Sequence, residues 1–360
     1  MLVPALTVTF AVTAIFIIAL RPFAIATGLV DRPGGRKQHI GVVPVIGGIA
    51  MFAGLFAGAS LLSASSLVTS LLVAGGLLIA IGVLDDRYPL PAVVRLGAQL
   101  IAVLLMFFGA DVQVSGLGNI FGVGDVNLGA ATILITLLIA ISVINAFNLV
   151  DGVDGLAGTM GILAIGPVAI LTGYASDIGA LATLAVGAIL GFLCFNFPTV
   201  RNRPVRTFMG DAGSTLIGLI AFVTIAVASQ GPTAVVSPAV GLWFAAVPIF
   251  DLFTCFVRRI RRGASPFRPG RDHFHHVLTR GGFGVRNTLV ILTLFQVTYL
   301  AIGLTGHYLA VQEAIMFGLW SAVGLTQWWF IRKLAAHARR GKLLRAGEEN
   351  VTAVRAKKAA

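Results

Sequence analysis

The 360-residue chain is 57% hydrophobic and only 11% charged, and its mean hydropathy is +0.95. These values exclude a soluble globular domain and predict a polytopic membrane protein. The formal net charge of +12 is a signal of membrane topology and of attraction to anionic lipid headgroups, and we expect no nucleic-acid partner.

Eleven apolar stretches are each long enough to cross the hydrocarbon core of a bilayer as an α-helix. We therefore predict an all-α membrane protein with about 10–11 transmembrane helices. The integral-membrane domain covers residues 1–331 and a basic cytosolic tail covers 332–360. In chain order, the stretches lie near residues 3–20, 45–62, 67–84, 92–109, 130–147, 156–175, 179–197, 214–230, 238–256, 288–306 and 312–331.

The basic residues predict the orientation of these helices. The 26 Lys and Arg residues fall in alternate gaps between the predicted helices and in the tail, with Arg95 one turn inside the fourth helix on the same side. Because basic residues are retained in the cytosol, this segregation places the N-terminus outside and the C-terminus inside. One outward gap, 110–129, alternates apolar residues with glycines and predicts a small outward-facing β-hairpin.

Acidic residues form three short signatures at the predicted cytosolic ends of helices. A carboxylate next to hydrocarbon is costly, so it indicates a functional site. Hard oxygen ligands in such number suit Mg²⁺ or Mn²⁺ shared with a substrate phosphate. For any one of them, a helix cap or an ion pair with a loop arginine is the alternative interpretation. The residues are the carboxylates Asp85, Asp86, Asp151, Asp154 and Asp211, together with the amide Asn148.

Two predicted cytosolic loops combine basic and imidazole side chains. The first contains Lys37, and the second contains Arg271, His273, His275 and His276. The spacing matches no zinc site, so an anion-binding surface for a diphosphate is favoured over a metal site. A loop that only sets topology remains an alternative for the arginines. Carboxylates, a metal and a phosphate-binding loop together indicate phosphoryl transfer.

Seven motifs follow one another along the chain, namely Asp31–His39, Pro44–Gly48, Leu84–Arg87, Asn145–Gly158, Asn196–Thr199, Phe208–Thr215 and Arg271–His276. In this order they resemble the motifs of the polyprenyl-phosphate N-acetylhexosamine-1-phosphate transferases. Within that family, Ser-Pro-Phe followed by His-x-His-His is similar to the bacterial branch that loads N-acetylglucosamine-1-phosphate onto undecaprenyl phosphate. The muramoyl-pentapeptide branch typically has three consecutive histidines, which Phe274 separates here.

The resemblance implies a reaction, a place and partners. N-acetylhexosamine-1-phosphate would pass from a UDP-sugar to undecaprenyl phosphate with release of UMP, as the initiating step of a cell-surface polysaccharide such as O-antigen, common antigen or a wall polymer. The enzyme would lie in the bacterial cytoplasmic (inner) membrane with its site on the cytosolic face, and a homodimer is left open. A phospho-MurNAc-pentapeptide transferase and, from another class, a cation-coupled transporter are the alternatives.

The resemblance also implies roles for individual residues. Asp211 and Asn148 would bind Mg²⁺, with Mn²⁺ as the other candidate, and Asp85 supported by Asp86 would engage the lipid phosphate. Pro89 stands where the family often has Asp or Asn, so the first acidic pair is not assigned to the metal. The second pKa of a phosphomonoester is near 6, so the lipid phosphate is already mostly dianionic and needs no strong base. Direct attack by the lipid phosphate is therefore favoured over a two-step path in which an Asp is phosphorylated first. The substrate-binding residues would be Asp151, Asp154, Lys37, Arg271, His273, His275 and His276.

Overall fold

The computed structural model describes residues 2–32, 41–198, 206–261, 263 and 273–359, and from residue 337 onward it describes the backbone alone. Helices dominate this part of the chain, and the regular strands are one antiparallel pair. The elements are α1 (Leu2–Thr27), β1 (Val30–Asp31), β2 (Val43–Pro44), α2 (Gly47–Ala59), α3 (Ser66–Arg87), α4 (Ala92–Ala110), α5 (Thr132–Val150), α6 (Leu156–Leu171), α7 (Asp177–Asn196), α8 (Gly210–Ser229), α9 (Pro238–Phe244), α10 (Ala246–Ile260), α11 (Phe274–Arg280), α12 (Val285–Tyr308) and α13 (Glu313–Ala359).

Each of the eleven predicted apolar stretches overlaps at least one helix. Among the described residues, eight helices are long and apolar enough to cross a membrane, and the bent pair α9–α10 would make a ninth. α2 and α6 are shorter, with 13 and 16 residues. The prediction of an all-α, multi-pass membrane protein is confirmed. The sequence did not predict α11, which is too short to give a periodic signal.

Helix α8 lies at the centre of the bundle and packs against α2, α3, α5 and α6. Every residue from Ala212 to Thr224 is buried, which is typical of a helix that is apolar on all sides. A glycine brings α3 close to its first turn: a Cβ built at Gly82 would lie 2.3 Å from the Cα of Ala212. Small residues at such contacts let helix backbones approach in a membrane.

The ninth predicted span is broken rather than continuous. Helices α9 and α10 meet at Ala245 with a bend of 84°. Pro248 has no N–H to donate to the carbonyl of Phe244, and the buried side chain of Gln296 replaces that donor at 2.9 Å. The amide oxygen of Gln296 accepts from Val247 N at 2.9 Å. A broken helix inside a membrane protein needs such partners for its freed backbone groups.

A short strand pair holds the start of α2 against the start of α8. In this pair, Val30 faces Pro44 and Asp31 faces Val43. The end of β2 and the start of α2 both contact the segment before α8: Phe208 N donates to Pro44 O at 2.9 Å, and Gly47 N donates to Phe208 O at 3.0 Å. The glycine-containing starts of both helices, which the sequence placed in different motifs, therefore lie side by side.

The predicted β-hairpin at 110–129 is present only as a folded-back loop. It has a single isolated bridge between Gly116 and Asn127, where the prediction was a strand pair. Its glycines leave few side chains to pack on a sheet face, so regular strands do not form. The side chain of Gln230 instead fixes the loop, accepting from Ser115 N at 3.0 Å and donating to Gly116 O at 3.0 Å.

Candidate functional site

The carboxylates of Asp85, Asp86, Asp151 and Asp211 gather at one end of the bundle, and we call them the acidic cluster. Asp85 and Asp86 lie in the last turn of α3, Asp151 directly follows α5, and Asp211 lies in the first turn of α8. Helices α3 and α5 end where α8 begins, and both pack against it. Three motifs that are far apart in the sequence therefore form one site.

Asp86 caps helix α8. Its two carboxylate oxygens accept hydrogen bonds from Asp211 N at 2.9 Å and Ala212 N at 3.4 Å. Gly210 makes this possible, because it has φ = +73° and a Cβ there would collide with the Asp86 carboxylate. Asp86 was predicted to support Asp85 at the lipid phosphate, and the structure gives it a contact that orients the Asp211 segment.

Asp85 and Arg95 form the second contact of the cluster. Asp85 accepts from Leu90 N at 2.6 Å and from Arg95 Nη1 at 3.1 Å, and its side chain is only 7% exposed. The same Arg95 nitrogen lies 3.5 Å from Asp211 Oδ2. One guanidinium therefore bridges two carboxylates, and its own side chain is 39% exposed.

Asn148 and Asp211 form the pair that the family resemblance assigned to a metal. Asn148 Nδ2 donates to Asp211 Oδ1 at 2.8 Å and to Ser214 Oγ at 3.0 Å. A half-turn of the amide about its terminal bond would exchange this nitrogen for the carbonyl oxygen. Asp211 itself is 39% exposed, so a cation and a substrate oxygen can reach it. This set of hard oxygen donors fits Mg²⁺ or Mn²⁺.

Burial and the nearby carboxylates disfavour the ionised form of Asp151. Burial raises its pKa to about 8, and the carboxylates of Asp211, Asp86 and Asp154 add to the increase. Among the described residues, none donates a hydrogen bond to its carboxylate. A divalent cation would offset this concentration of negative charge.

Asp154 lies beside the acidic cluster and forms an ion pair with Arg206. Its Oδ2 accepts from Arg206 Nη2 at 2.5 Å, and the Arg206 guanidinium stacks over the ring of Phe208. The following turn is fixed by Asn196, which accepts from Gly155 N at 2.7 Å. Asp154 therefore connects the loop after α5 with the segment that leads into α8.

A cavity of about 480 Å³ opens onto the acidic cluster. One part of its lining is polar and includes Asp85, Arg95, Asn148 and Asp211. The other part is apolar and comes from α3, α4, α5 and α10. Its apolar residues include Leu78, Ile81, Leu96, Leu138, Ile141, Leu252 and Phe256.

Comparison with known proteins identifies the family of this site. Residues 68–229, which include the whole acidic cluster, match the model of glycosyl transferase family 4. A relative from Escherichia coli (strain K12), named undecaprenyl-phosphate alpha-N-acetylglucosaminyl 1-phosphate transferase, is 34% identical over 356 residues, covering 95% of this chain and 96% of the relative. The chain belongs to glycosyl transferase family 4.

Proteins of the same name from other bacteria agree. The one from Salmonella typhimurium is 33% identical over 303 residues, which are 83% of this chain and 82% of that protein. The one from Yersinia pestis is 35% identical over 309 residues, which are 84% of each chain. The resemblance predicted from the motifs is confirmed, and the protein is an enzyme of a transferase family.

His273, His275 and His276 lie outside the segment that the family model matches, at the start of α11. His273 lines the cavity, and its Nδ1 lies 3.1 Å from Asp251 Oδ2 and 3.2 Å from Cys255 Sγ. His275 is 2% exposed, packs against Gly152 and stacks on the ring of His273. Burial, with help from His276, His273 and Arg280, holds the pKa of His275 well below its usual value. His275 is therefore neutral and contacts the loop that carries Asp151.

The structure brings most of the predicted site residues to one end of the bundle. Lys37 and Arg271 lie outside the described residues. Sequence reasoning assigned Arg95 only to topology and overlooked Asp251, which lies within an apolar stretch of α10. The rule that marks an intramembrane carboxylate as functional would have found Asp251. Cys255 lies in the same apolar stretch, and only the fold places its sulfur beside His273.

Proposed function

We propose that this enzyme transfers N-acetylglucosamine-1-phosphate from UDP-N-acetylglucosamine to undecaprenyl phosphate and releases UMP. The observation that carries the proposal is the two-part cavity, whose apolar wall meets Asp85, Arg95 and Asp211. A polyprenyl phosphate has the same division between a hydrocarbon chain and a charged end. The names of the relatives support this acceptor and this sugar.

In the proposed reaction, an oxygen of the lipid phosphate attacks the phosphorus that carries the sugar. The bond from that phosphorus to the bridging oxygen breaks, and UMP leaves with the oxygen. The lipid phosphate has its second pKa near 6 and is mostly dianionic at neutral pH, so no base has to deprotonate it. Its difficulty is repulsion from the diphosphate, and cationic groups reduce that repulsion.

The contacts of Asp85 support a positioning role. Both of its carboxylate oxygens already accept hydrogen bonds, from Leu90 N and from Arg95, and the side chain is nearly buried. A nucleophilic carboxylate would need a free oxygen facing the substrate. Asp85 holds Arg95 instead, and the exposed Arg95 guanidinium would bind the lipid phosphate.

Asp211 and Asn148 would hold Mg²⁺, or Mn²⁺ in its place. When bound, the ion supplies charge neutralisation at the diphosphate. Asp86 keeps the backbone of Asp211 in place, and Asp151 would add negative charge close to the same point once the cation is bound. In this proposal Asp154 and His273 line the side on which the UDP-sugar binds.

The orientation in the membrane follows from charge. The acidic cluster lies at the end of the bundle where Arg87, Arg95 and Arg206 also lie. Because basic residues are retained on the cytosolic side, this end would face the cytosol of a bacterium, where UDP-sugars are made. The product would then be an early lipid-linked intermediate of a cell-surface polysaccharide.

A membrane assay of UMP release tests the proposal. Membranes with the wild-type protein receive UDP-N-acetylglucosamine, with and without undecaprenyl phosphate, and parallel samples receive UDP-N-acetylgalactosamine or UDP-MurNAc-pentapeptide. We expect lipid-dependent UMP with UDP-N-acetylglucosamine and Mg²⁺, and none from the Asp211→Asn variant. UMP from the pentapeptide substrate alone, or no lipid-dependent UMP from any donor, would contradict the proposal.

A further inference from the structure

Asp251 is a buried carboxylate that the proposed function does not use. It lies in the apolar part of α10 and is 1% exposed. Its Oδ2 contacts His273 Nδ1 at 3.1 Å, and its Oδ1 accepts a hydrogen bond from Phe274 N at 2.7 Å. One carboxylate therefore contacts both the ring of His273 and the backbone of the next residue.

The partner of His273 Nδ1 decides which ring nitrogen faces the cavity. An ionised carboxylate accepts hydrogen bonds and donates none, so Nδ1 must carry the proton in the contact with Asp251. The second nitrogen, Nε2, is left for a ligand of the cavity that His273 lines. A neutral ring would accept at Nε2, and a protonated ring would donate there to an anionic oxygen.

Anchoring α11 alone does not explain a carboxylate at position 251. A neutral Asn would accept the hydrogen bond from Phe274 N equally well and would not place a charge in an apolar helix, where it is costly. Among the described residues, the ring of His273 is the contact that suits a carboxylate at position 251, and the side chain of His273 is only 5% exposed. Removing one member of such a buried pair would leave the other without compensation.

We infer that Asp251 is the positioning residue of His273, which it fixes with Nδ1–H toward the carboxylate and Nε2 toward the diphosphate or sugar of the bound UDP-sugar. The inference rests on the proposed function for the identity of that ligand. The hydrogen bond to Phe274 N fixes the start of α11, so Asp251 sets both the rotation and the position of the imidazole. Metal-bound histidines are oriented by carboxylates in the same way.

The variant Asp251→Asn separates the two contacts of Asp251. Its amide oxygen keeps the hydrogen bond from Phe274 N, while its NH₂ group faces His273 Nδ1 and forces the proton onto Nε2. We expect kcat/KM for the UDP-sugar to fall by about 10–100-fold. The matched control is Cys255→Ala, which changes the other neighbour of the same nitrogen and should leave kcat/KM close to that of the wild type.

Two measurements decide between positioning and a merely structural role. In the first, the variants Asp251→Asn, His273→Gln and the double variant form a cycle, and the double variant should lose no more activity than His273→Gln. In the second, ¹⁵N spectra of histidine-labelled protein, with the His273 signal assigned through His273→Gln, should show Nδ1–H in the wild type and Nε2–H in Asp251→Asn.

The inference and the proposed function fail in different ways. Independent losses in the cycle, or a His273 tautomer that is the same with and without the Asp251 carboxylate, would overturn the inference even if the wild type releases UMP. Absence of lipid-dependent UMP from the wild type would overturn the proposed function, and the spectra would still decide whether Asp251 sets the His273 tautomer.

Discussion

The acidic cluster and the Asp251–His273 pair both contribute side chains to one cavity, but they differ in exposure and in how their charges are paired. In the acidic cluster, Arg95 is shared between Asp85 and Asp211, and Asp211 is 39% exposed. The Asp251–His273 pair is 1% and 5% exposed at its side chains, and each member is the partner of the other. Surplus negative charge that is open to the cavity attracts a cation, whereas a closed pair orients a side chain.

The two regions also differ in what supports them. The acidic cluster lies at the ends of long helices that pack tightly on α8. The Asp251–His273 pair depends on the broken helix α10 and on α11, which has seven residues. Changes near the cluster should therefore act through cation binding, and changes near the pair should act through the UDP-sugar.

The largest effect is expected from Asp211→Asn. The substitution keeps the size of the side chain but removes the charge that the proposed cation needs, so activity should fall by about 10³-fold or more. Higher Mg²⁺ should not restore it. The measurement is UMP release at increasing Mg²⁺.

The control for this loss is Asp111→Asn, at the exposed C-terminal end of α4. Asp111 has φ = 53°, a conformation that Asn also adopts readily, so this variant should behave as the wild type does. Full activity of Asp211→Asn at ordinary Mg²⁺ would show that the cation does not bind at the acidic cluster.

A smaller loss is expected when α3 is pushed away from α8. A Cβ at Gly82 would lie 2.3 Å from the Cα of Ala212, so Gly82→Ala must displace the first turn of α8. A shift of about 1 Å at reacting groups costs roughly 10²-fold in rate. Gly97→Ala in α4 is the matched control, because a Cβ there has open space. Equal activity of the two variants would contradict the role of this contact.

The next effect concerns the cap of α8. Asp86→Ala removes both acceptors of the Asp211 and Ala212 amides and should lower stability by about 1 kcal/mol. Asp86→Asn keeps one acceptor and should fall between the wild type and Asp86→Ala, both in thermal stability in detergent and in UMP release. If the Asn variant is as stable as the wild type but as inactive as the Ala variant, the charge of Asp86 matters for the reaction itself.

The sequence predicted the parts of the site that repeat a recognisable pattern. Asp85, Asn148 and Asp211 were found because each lies at the end of an apolar run, where a polar side chain is costly. The family motifs then separated the metal residues from the lipid-phosphate residues. The basic residues could be counted along the chain, so the predicted cytosolic gaps could be distinguished from the outward gaps without any tertiary structure.

Contacts between distant segments were beyond that reasoning. The bridge from Arg95 to Asp85 and Asp211 needs the packing of α3, α4 and α8. The break at Ala245 depends on Gln296, which lies 52 residues after Phe244. The run 238–256 therefore read as one continuous helix. The position of Asp251 in an apolar run was visible in the sequence, but its contact with His273 was hidden for the same reason, since the two residues come from different elements.

The smallest expected effect is the release of a proton from the acidic cluster when a divalent cation binds. The pKa of Asp151 is raised to about 8, so at pH 7 its carboxyl is mostly protonated in the absence of a divalent cation. A cation bound at Asp211 favours the ionised form, so binding at pH 7 should release up to about one proton. Calorimetric titration with Mg²⁺ in buffers of different ionisation enthalpy measures this release.

The sign of the pH dependence makes this test specific. A carboxyl with a raised pKa is already ionised well above that pKa, so the release should fall toward zero as the pH rises from 7 to beyond 9. Asp151→Asn should still bind Mg²⁺ but release fewer protons at pH 7. If Asp151→Asn releases as many protons as the wild type, the proton comes from another carboxyl of the acidic cluster. The concentration of negative charge would then lie at that carboxyl and not at Asp151.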